Sequence, residues 1–327
     1  MTQPLILQQR QSIELLPAAP FRFDATMHKP DHFPAADNEW QPGIRWQTMR
    51  WQGTPLGLRI ENQGTVDEPR ISLAIWSEGP LRQVFLDGLL DEIRYRHGLH
   101  LDLSEFNQRF QHDPQLGPLI ERWRGMRPCN YNSLYEYLIF AIVLQNTIVR
   151  RSVDMMQVLF GRYGTLLSFD GKQLYCFWEP RTMLGTTEED LRQLKVGYRA
   201  KSIRRVLDAF VNKEIDEVDL RSKGTEEQRR ALLRLYGIGP ASVGYILGDV
   251  FHQWDEMNHI SPWEQKIYSK LFFDVDPEAA VPVAQLLSLF KERFLGYRML
   301  AVHYVWEDLF WRRTHEHIPW LEKLIRR

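Results

Sequence analysis

The chain has 327 residues, 44% of them apolar and 25% charged, and a net charge of −1. These values fit a globular protein with a core large enough for two domains or one lobed domain, and exclude a surface coated in positive charge for non-specific nucleic-acid binding, though not local phosphate contacts. The two cysteines, Cys129 and Cys176, are too few for a disulfide framework or a four-cysteine iron–sulfur cluster, so a reducing, cytoplasmic setting is expected.

Residues 1–103 read as an N-terminal α+β domain. The segments IRWQTMRWQ, PLGLRIENQ and RISLAIWS alternate or run apolar and β-branched, with Gly-Thr and Gly-Thr-Val-Asp turns between them. The amphipathic helix LRQVFLDGLLDEIRYRHG follows, and a small antiparallel sheet with one helix laid on it is the natural layer. No apolar run reaches the length of a membrane span, and MTQPLILQQRQSIE lacks the build of an export signal.

From residue 104 to 327 the pattern is helical, with almost no strand signal. SEFNQRF is a short helix. The run from Ser133 to Gly164 reads as one buried central helix, opened by a Ser133/Glu136 capping box and closed by Gly164 as a C′ residue. TEEDLRQL, RAKSIRRVLDAFV and TEEQRRALLRL are shorter amphipathic helices, two of them with threonine caps. PVAQLLSLFKERF and YRMLAVHYVWEDLFWRRTHE close the chain. His315-Glu316-His317 reads as charged surface rather than a metal site, so none is expected.

Two stretches carry chemistry. In LYGIGPAS, Gly237 and Gly239 permit positive φ between two helical runs, and Ile238 would anchor the turn between them. Backbone N–H groups at the start of the second helix, around Ala241 and Ser242, then form an anion site. A plain helix–helix turn explains the glycines equally well. In SPWE, Ser261 is an N-cap, Pro262 sits at N1 and Glu264 at N3, a capping box that folds the Glu264 carboxylate back toward the helix start.

LYGIGPAS resembles the hairpin of the helix-hairpin-helix DNA glycosylases. FAIVLQNTIVRR resembles their lesion-flanking helix, LKVGYRAKSI the GLGYRA stretch of 8-oxoguanine glycosylases, and LGYRMLAVHYVWEDL the closing helix of that group and of the inducible 3-methyladenine glycosylases. The resemblance covers nearly the whole chain, in order. It implies a mostly α fold: a helical glycosylase domain of two lobes behind the N-terminal α+β domain. It also implies a reaction, in which a modified base is flipped from double-stranded DNA and its N-glycosidic bond is cleaved. By position, Asn146 with Gln145 would fill the gap left by the base. Tyr245, Trp306, His303, Val302 and Trp263 would line the base pocket. Arg199 and Lys201, in a basic patch with Tyr198, Arg204 and Arg205, would reach phosphates; a solvated helix face explains that patch nearly as well.

Two departures from the pattern shape the expectation. Ala241 stands where lyase-competent members carry a lysine, so the activity implied is monofunctional. Ungapped alignment puts Ser261 where the family has its aspartate, and Glu264 then becomes the replacement carboxylate, with Asp255, Glu256 and His259 as fallbacks. Alkylated purines suit such a site first; a hypermodified base of phage DNA, or a DNA-binding protein without catalysis, are the alternatives. No organic cofactor is implied, a monovalent cation at the hairpin is, and the protein is expected to be a monomer.

Overall fold

The computed structural model describes residues 3–28 and 35–325. They group into two compact units, one of residues 3–28, 35–102 and 125–214, the other of residues 103–124 and 215–325.

The first unit is built on β-sheet. Its strands are β1 (Leu5–Ile6), β2 (Gln9–Leu15), β3 (Asn38–Gln41), β4 (Ile44–Trp51), β5 (Thr54–Asn62), β6 (Ile71–Ser77), β7 (Thr165–Phe169) and β8 (Lys172–Cys176). Five form an antiparallel sheet in the order β2-β6-β5-β4-β3, of which β4, β5 and β6 are the three segments read as strands while β2 and β3 were not, and β1-β7-β8 form a second, smaller one. Leu56, Leu58 and Ile60, two residues apart, point to one face. There they meet Leu86, Leu89, Leu90 and Ile93 of helix Gln83–Arg96. Burial of each such side chain contributes about 1.5–3 kcal/mol.

The other face is covered too. Trp46, Ala74 and Trp76 pack against Leu167, Phe169, Leu174 and Cys176 of the β7–β8 hairpin. This is why ISLAIWS runs apolar instead of alternating. Strands beyond residue 104 were not expected, yet their signal is local. Asp170 (φ 46°) and Gly171 (φ 73°) form the two-residue turn between them, as Asp-Gly favours. The Trp46 indole donates to Asp170 across 2.7 Å, and Thr48 Oγ1 to the Tyr175 carbonyl across 2.8 Å.

Gly57 lets the two sheets close on each other. A Cβ there would stand 2.4 Å from the Phe169 ring. Gly57→Ala is therefore expected to cost about 1–3 kcal/mol of stability, read as a lowered midpoint in urea or thermal unfolding.

The expected central helix is two helices, Leu134–Leu144 and Val149–Tyr163. Ser133 and Glu136 do form the capping box at its start. The break falls at residues 145–148, where Asn146 takes φ 48° and Ser152 Oγ bonds the Val143 carbonyl across 3.2 Å. At the far end Gly164 is extended (φ −72°), not the left-handed C′ residue expected. Thr187 is a true N-cap, whereas Thr225 lies inside its helix behind Gly224.

The second unit is helical: Ser104–Phe110, Leu116–Arg122, Glu217–Arg221, Thr225–Leu233, Pro240–Phe251, Pro262–Phe273, Val283–Phe294, Arg298–His315 and Pro319–Leu324. Its core is aromatic. Phe106, Phe110, Tyr268, Phe290, Phe294 and Tyr304 are all buried, with Tyr268 to Phe290 at 5.2 Å and Phe106 to Tyr304 at 5.3 Å between ring centres. Tilted and edge-on aromatic pairs of this kind add about 0.5–1.5 kcal/mol beyond area burial.

Candidate active site

The hairpin LYGIGPAS joins helices Thr225–Leu233 and Pro240–Phe251. Gly237 alone uses positive φ (87°); Gly239 is the N-cap at φ −109°, and a Cβ on it would meet nothing within 4 Å. Of the two glycines that permit positive φ, only Gly237 uses it. Ile238 is buried, while Gly237 and Ala241 are exposed. Pro240 has no N–H, and the N–H groups of Gly239 and Ala241 make no hydrogen bond among the described residues. Ser242 donates its N–H back to Gly239 at 3.0 Å. Unpaired donors at a helix start are suited to an anion.

Helix Pro262–Phe273 opens with the capping box read from SPWE. Ser261 Oγ accepts the Glu264 N–H at 3.3 Å, and Glu264 Oε2 accepts the Ser261 N–H at 2.8 Å. The second carboxylate oxygen, Oε1, accepts the hydroxyl of Tyr245 from the hairpin's second helix. Burial and the adjacent Glu264 hold the phenols of Tyr245 and Tyr268 well above the usual tyrosine range, so both keep their protons, and Tyr245 is the donor to Glu264.

A cavity of about 20 Å³ lies between these elements, with Ala241, Tyr245, Glu256, His259, Glu264 and Val302 among its lining. It has room for a water-sized group, not a nucleobase. Glu264 itself is only 7% exposed. Of the fallback groups, Asp255 is committed elsewhere: it accepts the Gly296 N–H at 2.8 Å and both arms of Arg298, fixing the start of the closing helix. Glu256 pairs with Arg229 and accepts from Asn258.

No family model matches the chain. It is 26% identical over 243 residues to a probable N-glycosylase/DNA lyase of Methanothermobacter thermautotrophicus, covering 64% of this chain and 73% of that protein. The 3-methyladenine DNA glycosylase of Archaeoglobus fulgidus superposes with a TM-score of 0.72 at 17% identity, over 91% of this chain and 99% of that one. The Clostridium acetobutylicum 8-oxoguanine glycosylase/lyase, bound to double-stranded DNA with cytosine opposite 8-oxoguanine, superposes with a TM-score of 0.70 at 17% identity, over 95% and 99%. The chain has the fold of these DNA glycosylases.

Within this glycosylase fold the expected pocket residues divide. Tyr245 and Val302 line the cavity; Trp263, Trp306 and His303 do not. Trp263 instead stacks on Trp306 at 4.8 Å and 11°, and donates its indole N–H to the Leu324 carbonyl at 2.8 Å. Trp306 is buried and donates to Tyr268 Oη at 2.9 Å. His303 lies one face further round the closing helix, with Nδ1 3.9 Å from Glu307.

In the first unit of the glycosylase fold, Asn146 is exposed on the break between its two helices, with its amide 3.4 Å from the Tyr198 hydroxyl. Leu144, Ile148 and Val149 are exposed on either side of it. Arg199, expected to reach a phosphate, is buried with its guanidinium on the Gln145 carbonyl, so it shapes this loop from within. Arg204 is likewise committed, to Asp208 and the Thr186 carbonyl. Lys201 and Arg205 remain exposed. Arg150 and Arg151, which composition gave no reason to single out, are exposed directly after the loop.

Proposed function

We propose that the protein is a monofunctional DNA glycosylase that takes a modified base, an alkylated purine first, out of duplex DNA and hydrolyses its N-glycosidic bond to leave an abasic site. One observation carries this reading: the buried Glu264 carboxylate and Ala241 of the hairpin line the same cavity, and no lysine lines it with them. The hairpin's unpaired N–H donors hold a backbone phosphate. Glu264 faces the sugar, where its charge favours the developing oxocarbenium ion and its free lone pairs can take a proton from attacking water. The cavity is water-sized before the base enters, so its lining side chains must part to admit a purine.

An alkylated purine is already cationic and leaves with little help from an acid. The lining supports that choice, since it contains Glu256 and Glu264 but neither lysine nor arginine. A monovalent cation under the hairpin belongs to the same proposal; the Ile238 carbonyl, which accepts no hydrogen bond among the described residues, is an oxygen open to it.

A second reading, a protein that binds such DNA without cutting it, is favoured by the fact that both Glu264 oxygens already accept hydrogen bonds. Duplexes carrying alkylated, oxidised, deaminated or hypermodified bases, incubated with the protein and then treated with alkali, decide between them. Strand breaks that require alkali, strongest on the alkylated duplex, are expected. Tight binding with no alkali-labile site on any duplex would establish the binder.

A further inference from the structure

One group in the cavity wall is used by nothing else in the structure. Met257 and Ile260 are buried, so the loop between Phe251 and Ser261 is pinned at both, and Asn258 and His259 between them are turned outward. Arg298 donates to the Met257 carbonyl at 3.2 Å and the Met257 N–H to the Asp255 carbonyl at 3.0 Å, which fixes the backbone just ahead of His259. His259 lines the cavity together with Glu264, and its imidazole makes no hydrogen bond or ion pair among the described residues.

The other polar side chains of that lining are committed. Both Glu264 oxygens accept a hydrogen bond, one from the Ser261 N–H and one from the Tyr245 hydroxyl. Glu256 pairs with Arg229 and accepts from Asn258. Tyr268 accepts the Trp306 indole N–H at 2.9 Å. The side-chain amide of an asparagine does not take up a proton near neutral pH, whereas an imidazole can both take one up and release it.

We propose that His259 is a second catalytic residue, the base that takes the proton of the attacking water, while Glu264 serves by its charge. The inference rests on the reading of Glu264 given above and divides its two tasks between two side chains. The chemistry calls for such a group. When the C1′–N bond of an alkylated purine breaks, the base leaves with the bonding pair and becomes neutral, so it takes no proton with it. Water then forms the C1′–O bond and loses one proton. The cavity, at about 20 Å³, has room for that water. Imidazole accepts the proton and passes it to solvent, to which His259 is exposed. Glu264 keeps both of its hydrogen bonds throughout and stays charged while the sugar is cationic.

Single-turnover excision from duplex carrying 7-methylguanine tests this. His259→Ala is expected to slow excision by on the order of 10²-fold, the lower end of what a positioned acid–base group contributes, with affinity for the duplex unchanged. Free imidazole should restore part of the rate in proportion to its concentration. His259→Gln, which keeps a hydrogen-bonding side chain but cannot take the proton, should be as slow as His259→Ala. Glu264→Gln should be slow as well, and imidazole should not help it. Because His259 is exposed, thermal unfolding of its variants should match that of the wild-type protein.

Full activity in His259→Ala, with Glu264→Gln slow, would overturn the assignment of the proton to His259 and leave the reading of Glu264 standing. So would a slow His259→Ala that imidazole does not restore, or a His259→Gln as fast as wild type, since either marks a contact rather than a proton transfer. If the wild-type protein releases no base from that duplex, or Glu264→Gln releases it as fast as wild type, the reading of Glu264 falls and the inference with it.

Discussion

Glu264→Gln is expected to lower single-turnover excision by roughly 10²–10⁴-fold, the range for loss of a positioned acid–base group, with duplex binding retained. The substitution is nearly isosteric. Its amide oxygen can still accept from Ser261 or Tyr245, so the helix start stays capped at a cost of at most about 1–2 kcal/mol. What it removes is the charge. No nearby carboxylate can replace it: Glu256, the other one lining the cavity, is held by Arg229, and Asp255, outside the lining, is paired with Arg298. Quench-flow or gel-based excision at saturating protein, beside an affinity measurement on the same duplex, gives both quantities. Undiminished excision by the variant would remove Glu264 from the mechanism.

The sequence shows this site unevenly, and the reason is distance along the chain. The Ser261/Glu264 and Ser133/Glu136 boxes span three residues each, so their geometry follows from helix-start chemistry alone and is found as read. The three central strands of the five-stranded sheet and the helical character of most of the second half were legible for the same reason, as periodicity is local. The partner of Glu264 across the site, Tyr245, lies 19 residues away, and Trp306 reaches Tyr268 across 38. No pattern within one helix announces such meetings. Trp263 and Trp306 could each be expected to face a base; that they face each other is a property of packing between helices Pro262–Phe273 and Arg298–His315.

Charge misleads for a related reason. Arg199 sits in a run with Lys201, Arg204 and Arg205 that reads as one basic patch. On a helix, residues at successive positions point about 100° apart, so a run of cations is distributed between inside and outside. Arg199 turns inward to the Gln145 carbonyl while Lys201 and Arg205 stay exposed. The missed β7–β8 hairpin is different in kind. Asp170-Gly171 between LLSF and KQLYCF was readable, but the strands are short and stand among helices, so helical expectation overrode a turn signal that the local chemistry supports.

If the protein is monofunctional as proposed, Ala241→Lys is expected to be trapped on abasic DNA by borohydride where the wild-type protein is not. Ala241 is the second residue of helix Pro240–Phe251, exposed on one side and lining the cavity on the other, so the four-carbon stem of a lysine finds room there without disturbing the core. The amine would condense with the C1′ aldehyde of the ring-opened sugar, losing one water to give the imine, and hydride from borohydride would fix the C–N bond. Only the neutral amine attacks. The helix N-terminus disfavours the ammonium form, and the Glu264 carboxylate across the cavity favours it. The double variant Ala241→Lys/Glu264→Gln is thus expected to trap more adduct at neutral pH than Ala241→Lys alone, even though it excises less base. Denaturing gels of protein with labelled abasic duplex, with and without borohydride, read both effects. Equal trapping in the two variants would mean that the carboxylate and residue 241 do not share one site at the sugar. No trapping in either would mean that the hairpin's second helix does not start beside it.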